Sequence, residues 1–262
     1  MPASHSIRKP VDFIVLSAMR SGSNNLQDTL NNHPEIECGG EVFNPDHLQI
    51  WSKVYREDQN AGQAQRVGLK AAVVVARCGK RWFPEVMLRI ARRPLGRDIF
   101  GFRLFGDHVE CFGLDPLLEK LHAQGTKFIH LVRRDTFDQA LSLVRAQATG
   151  VWKTTSKTPA TAPLDLLPLA ARVKRAASLL QGHKVVTAKI ARRYGALLLD
   201  YDEYTRDERS YDRIQDFLGM RSRVPLRHAN MRTPRVDVEP YRRLREELEF
   251  SGAPMRFDPE AM

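Results

Sequence analysis

Short, continuously apolar runs alternate along the chain with longer stretches in which apolar residues return every three or four positions. Phe13-Ile14-Val15-Leu16, 99–105, 128–132 and Leu197-Leu198-Leu199 carry the first pattern and predict four strands. Because polar residues do not alternate through them, they suit a parallel sheet buried on both faces. The second pattern predicts helices over 22–32, 82–92, 115–123, 136–148, 166–194 (interrupted near Gly182), 206–218 and 239–249. Strand and helix in repetition is the α/β arrangement, and a single domain over 1–262 accounts for it. A Thr/Lys/Pro/Ala/Ser stretch at 153–164 predicts a mobile loop, followed by a helix that Asp165 caps. An arginine-rich tail covers 221–262.

Composition narrows the partners. Of 262 residues 42% are hydrophobic, enough for a sizeable core, and 41 basic against 31 acidic residues leave a net charge of +10. An anionic ligand, substrate or surface is therefore favoured. The three cysteines, Cys38, Cys78 and Cys111, share no C-x-x-C spacing, which argues against a disulfide framework or zinc knuckle and fits a reducing cytoplasm. The apolar run Val11–Leu16 is far shorter than a signal-peptide core, and charged residues or glycine interrupt every later candidate span. The expectation is a soluble, cytoplasmic chain.

The most informative stretch is Phe13 to Leu26. There a strand enters the turn Ser17-Ala18-Met19-Arg20-Ser21-Gly22, and a helix opens at Ser23-Asn24-Asn25. Backbone amides at a helix N-terminus have no acceptor within the helix and sit at its positive end, so a phosphate there finds donors and field together. Ser21, Ser23 and Asn24 add side-chain donors, Gly22 lets a ligand approach the backbone, and the Arg20 guanidinium can grip phosphate oxygens. The same turn also describes an ordinary strand-to-helix connection. The ATPase pattern G-x-x-x-x-G-K-[ST] is absent, since Ser17, Ser23 and Asn24 stand at its first glycine, its lysine and its magnesium-binding hydroxyl.

This stretch resembles the 5′-phosphosulfate loop of sulfotransferases that use 3′-phosphoadenosine 5′-phosphosulfate, in the Arg-Ser-Gly-Ser form of the bacterial carbohydrate enzymes. Leu30, His33-Pro34 and Gly40-Glu41-Val42-Phe43 extend the likeness to the branch that sulfates trehalose and Nod-factor lipo-oligosaccharides. The resemblance runs from Val11 to about Gly219, where Ile214-Gln215-Asp216-Phe217-Leu218-Gly219 is similar to the family's last helix. It implies the sulfotransferase fold: a P-loop-like central parallel β-sheet flanked by helices on both faces. It also implies 3′-phosphoadenosine 5′-phosphosulfate as co-substrate, adenosine 3′,5′-bisphosphate as product, and no metal.

A donor with a 3′-phosphate needs a second anion site, and the strand over 128–132 leads into Arg133-Arg134-Asp135 and another helix. Phe137, Ala140, Leu141 and Val144 form that helix's apolar face and leave Ser142 off it. Arg134 and Ser142 stand eight residues apart, as in the family's 3′-phosphate motif, although Asp135-Thr136 replaces the usual Asn-Pro or Asp-Pro. The alternative takes Arg133, Arg134 and Arg145 as a solvated basic face. The resemblance also implies a catalytic carboxylate at Glu41, with Phe43 beside the acceptor. His108 is the competing base, because imidazole titrates near neutral pH. Arg103 is a candidate for sulfate or acceptor contact, or else an exposed strand arginine. Trp152 could stack on adenine or on a sugar, or anchor the loop that follows it.

Three functions are weighed. A sulfotransferase acting on a carbohydrate or glycolipid uses all the ordered motifs. A nucleotide-dependent kinase-like phosphotransferase needs a lysine and a magnesium carboxylate that are not at the required spacing. A basic nucleic-acid-binding module built on Arg89, Arg92, Arg93, Arg97 and the C-terminal arginines lacks interleaved aromatics. The sulfotransferase reading expects no nucleic acid and no transmembrane segment, and leaves a homodimer and the acceptor's identity open.

Overall fold

The computed structural model describes residues 11–44, 97–152, 169–207, 209–225 and 239–261. Five strands lie among them: β1 (Phe13–Ser17), β2 (Ile36–Glu41), β3 (Ile99–Phe105), β4 (Lys127–Val132) and β5 (Leu197–Asp200). They form one sheet in the order β2-β3-β1-β4-β5, every neighbouring pair parallel. The four apolar runs are strands as expected, and β2, whose Gly39-Gly40 interrupts the apolar pattern, is a fifth that ends at Glu41. β1 lies at the centre, so the loop leaving its C-terminal end sits between the ends of β3 and β4.

Eight helices surround the sheet among the described residues: α1 (Ser23–Asn31), α2 (Gly106–Phe112), α3 (Asp115–Ala123), α4 (Thr136–Thr149), α5 (Leu169–Arg193), α6 (Tyr201–Tyr204), α7 (Arg209–Leu218) and α8 (Glu239–Phe250). Alternation along β1 sends Phe13 and Val15 to one face, where they join Leu26 and Leu30 of α1 and Ile214 of α7. Ile14 and Leu16 go to the other face and meet Leu117, Leu118 and Leu121 of α3 and Ile190 of α5. Helices therefore cover both faces of a parallel sheet, as the sequence predicts.

Three differences from the sequence reading have physical causes. The interruption near Gly182 does not occur, and α5 runs unbroken for 25 residues. A helical glycine costs only about 1 kcal/mol against alanine, and buried Leu180, His183, Lys184 and Thr187 hold that stretch to the protein. α2 and α6 were not foreseen because each is too short for a helical period to register. α6 owes its single turn to Asp200, whose side chain accepts from the amides of Asp202 and Glu203. The predicted helix at 82–92, the Asp165 cap, the loop at 153–164 and part of the tail lie outside the described residues. No helix among the described residues is long and apolar enough to cross a membrane.

Candidate active site

The β1–α1 loop has the character of an anion cradle. Arg20 and Gly22 both take positive φ, 61° and 90°, and the Ser21 amide between them donates to the Ala18 carbonyl at 3.3 Å, which closes the loop into a tight turn. Gly22 caps α1 and, lacking a side chain, makes no capping hydrogen bond. A Cβ there would lie 2.0 Å from the Tyr201 ring, so both the dihedral and the space demand glycine. Among the described residues the hydroxyls of Ser17 and Ser21 are buried without a hydrogen-bond partner, and buried polar groups are normally paired. Ser23 is buried and Asn24 half-buried in the first turn of α1. Arg20 Nε donates to Ser142 Oγ at 3.0 Å, and Arg20 Nη1 donates to the Trp152 carbonyl. Burial lowers the pKa of Arg20, and repulsion from Arg133 lowers it further.

A buried arginine joins this loop to Glu41. Arg103 Nη1 donates to Ser23 Oγ at 2.9 Å, and Arg103 Nη2 lies 3.2 Å from Glu41 Oε1. Arg103 is only 5% exposed, which removes the reading of it as a solvated strand residue. Register explains the meeting. Cys38 pairs with Gly101 but Glu41 with Arg103, so three steps along β2 match two along β3. The bulge at Gly39-Gly40 thereby brings Glu41 opposite the arginine, whereas an unbroken ladder would put Gly40 there. Asn44 Nδ2 donates to Glu41 Oε2 at 2.6 Å. Phe43, expected beside the acceptor, is instead fully buried against Phe102 and Phe112. Its apolar ring wins more from the core than from a pocket wall, and it anchors the Glu41 turn.

His108, the competing base, is 2% exposed and stacked on Phe105. Burial is the main cause that lowers its pKa, outweighing nearby Asp107 and Glu41. The Phe105 amide donates to His108 Nδ1 at 3.4 Å, which selects the neutral tautomer with its proton on Nε2. In that arrangement the ring has no free lone pair for an acceptor hydroxyl.

The second predicted site is distributed differently from the sequence expectation. Arg134 Nε lies 2.8 Å from Asp200 Oδ2 and Arg134 Nη1 lies 3.3 Å from Asp258 Oδ1. Ser142, eight residues on, accepts from Arg20 instead. Asp135 caps α4 by accepting from the Asp138 amide. The amides of Thr136 and Phe137 donate to the Met255 carbonyl at 2.9 and 3.3 Å. The segment around Arg256 thus runs beside Asp135 as an antiparallel bridge. Trp152 keeps its ring about half exposed, at 51%.

The sequence reading passed over Tyr201, Lys184 and the two aspartates on Arg134. Lys184 is buried on α5, and its Nζ donates to the Arg133 carbonyl and to Thr136 Oγ1, both at 2.8 Å. Burial and the neighbouring Arg133 charge bring its pKa down to about 7. A helix-period count marks Lys184 only as a polar residue near an apolar stripe, so no local signal identifies it.

Residues 12–165 match the Stf0 sulphotransferase family. That span is more than half of the chain, and the chain belongs to this family. Nodulation protein H of Rhizobium meliloti (strain 1021) is 24% identical over 176 residues, which cover 64% of this chain and 60% of that protein. The matched stretch therefore spans less than two thirds of the relative's length. The crystal structure of a sulfotransferase from Alicyclobacillus acidocaldarius is similar with a TM-score of 0.50 at 16% identity, over 93% of this chain and 92% of that one. At that identity the likeness is one of fold.

Proposed function

We propose that the protein moves a sulfuryl group from 3′-phosphoadenosine 5′-phosphosulfate to a hydroxyl of a carbohydrate or glycolipid, with Glu41 as general base. The observation that carries this reading is the bridge from Ser23 through buried Arg103 to Glu41. It brings a carboxylate at the end of bulged β2 to the loop that follows β1. When bound, the nucleotide supplies the sulfuryl group and leaves as a bisphosphate. Arg20, the hydroxyls of Ser21 and Ser23, Asn24 and the first amides of α1 hold the phosphate whose charge grows as the bond to sulfur breaks. Glu41 takes the proton of the attacking hydroxyl. Arg103 fixes the carboxylate's direction by its ion pair, and Asn44 holds the second oxygen. His108 remains neutral beneath them.

The 3′-phosphate is assigned to Arg134, for which the exposed Asp258 carboxylate would swing away, and to Ser142, whose hydroxyl would turn from Arg20 to reach it. Trp152 would offer its exposed ring to adenine or a sugar face. The carbohydrate acceptor is supported by the motif likeness of residues 13–43 to the bacterial carbohydrate branch. The test is transfer of labelled sulfate from the donor across a panel of glycans and glycolipids. Sulfation of one or more of them is expected. No transfer to any hydroxyl, with no binding of adenosine 3′,5′-bisphosphate, would overturn the reading.

A further inference from the structure

Neither predicted phosphate site includes Arg133, yet its surroundings belong to the first. β4 pairs with β1 in the register Leu16 to His130, so Arg133, just past the end of β4, comes level with the loop that follows β1. Gln139 Nε2 donates to the Met19 carbonyl at 2.5 Å, tying the first turn of α4 to the same loop. The Arg133 guanidinium carbon sits 5.6 Å from the centroid of the Tyr201 ring, the ring that packs into the space left by Gly22. Lys184 fixes the backbone beneath by bonding the Arg133 carbonyl.

The donors of Arg133 are incompletely used. Its Nε is buried without a hydrogen-bond partner among the described residues. Its Nη2 stands 3.5 Å from Asp138, an ion pair longer than a good hydrogen bond. Arg134 differs, since two carboxylates already face it and its side chain is 42% exposed against 17% for Arg133. Arg133 and Arg20 are also close enough for one charge to disfavour the other. Two like charges held near each other in a partly buried site cost stability unless an anion lies between them.

We infer that Arg133 is a second guanidinium of the pocket at the β1–α1 loop, gripping together with Arg20 the 5′-phosphate end of the nucleotide, with the Tyr201 ring as its wall. This rests on the proposed donor and adds a residue to its 5′ site. Arg134 then serves the 3′ end and Arg133 the 5′ end, so the adjacent arginines divide the two phosphates between them.

The test is calorimetric titration of the full chain and of Arg133→Gln with adenosine 3′,5′-bisphosphate, adenosine 5′-monophosphate and adenosine 3′-monophosphate. The variant should lose roughly 10- to 100-fold in affinity for the two ligands that carry a 5′-phosphate and keep its affinity for the 3′-monophosphate. Arg133→Lys, which keeps the charge and the ring contact, should recover part of the loss. It also serves as the readout if Arg133→Gln fails to fold. Unchanged affinity for the bisphosphate overturns the inference, and so does an equal loss for all three ligands, which would mark a purely structural role. If the parent chain binds none of the three, the donor reading itself fails and the inference falls with it, whereas normal binding by both proteins removes Arg133 alone.

Discussion

The junctions β1–α1 and β4–α4 read alike in the sequence, each a buried strand ending in arginine before a helix, but the folded chain treats them in opposite ways. At β1–α1 the cap is a glycine with no side chain, and two buried serine hydroxyls have no partner among the described residues. At β4–α4 the chain satisfies itself. Asp135 caps the helix, the Met255 carbonyl takes the next two amides, and Asp200 and Asp258 neutralise Arg134. A strand-to-helix turn is an anion site only where its orphan donors have been left for a ligand. Under the proposed function the first junction would bind through backbone and loop, and the second through side chains that must exchange one anion for another.

The largest effect expected on the open side concerns chemistry rather than binding. Glu41→Gln keeps shape while removing basicity, so sulfation should slow by roughly 10²–10⁴ with bisphosphate affinity little changed. A near-normal rate in a steady-state assay would take Glu41 out of the base role. His108→Ala, measured alongside, should leave the rate far higher than Glu41→Gln does, given the occupied Nδ1 of the histidine.

Gly22→Ala comes next, because the new Cβ meets the Tyr201 ring at 2.0 Å and the φ of 90° disfavours any side chain. A loss of about 2–4 kcal/mol in denaturant unfolding is expected, with bisphosphate binding abolished. Gly150→Ala after α4 is the control. It has φ 68° but nothing within 4 Å among the described residues, so it should cost only about 1 kcal/mol. Equal costs would mean that the Tyr201 contact is unimportant.

The closed side should reveal itself through pH. The folded pKa of Lys184, about 7, lies below that of an ordinary lysine. Above about pH 7 the unfolded chain holds a proton that the folded chain releases, so stability rises with pH until the unfolded lysine also titrates. Tyr204 and Tyr211, whose pKa values burial raises, oppose this once unfolded tyrosines ionise near pH 10. Between about pH 7.5 and 9.5 the lysine should therefore contribute about 2 kcal/mol of added stability. Lys184→Met should flatten that slope in chemical unfolding at several pH values. An unchanged slope would show that Lys184 is not its source.

The smallest effects concern the carboxylates on Arg134. Arg134→Ala should weaken bisphosphate binding by about 1.5 kcal/mol, the low end for a charged hydrogen bond, since the guanidinium is already paired. Asp258→Asn should tighten it by about 0.5 kcal/mol by removing a competitor. If both variants bind like the parent in calorimetry, Arg134 is a structural residue and the two junctions differ completely.

Much of this was legible locally. β1, β3, β4 and β5 followed from unbroken apolar runs, because a strand covered on both faces has no polar side to show. α3 and α4 followed from their apolar periods, and the Ser17–Asn24 turn stood out because Arg20 adds a cation to a small polar turn that by itself would also suit an ordinary strand-to-helix connection. Glu41 was reached through resemblance, since nothing local separates it from any other glutamate near a strand end. Phe43 was misplaced by the same route. Motif proximity suggested a pocket wall, and hydrophobic burial put the ring in the core.

The sequence by itself thus determined the parallel α/β sheet, the place and direction of the anion loop and the excess of positive charge. Only the tertiary structure decided which side chains stand around that loop. The bulge that turns Glu41 toward Arg103 is a matter of register between paired residues more than 60 positions apart in the chain. The closure of α4 depends on Met255 and Asp258, which reach it from the far end of the chain. The Arg133–Tyr201–Gly22 contact joins three separate segments. Periodicity and capping signals are set by neighbours within a turn or two and can be read along the chain. The partner of a buried charge is set by whatever chain the fold brings within a few ångströms, and that distance is not written in any local window.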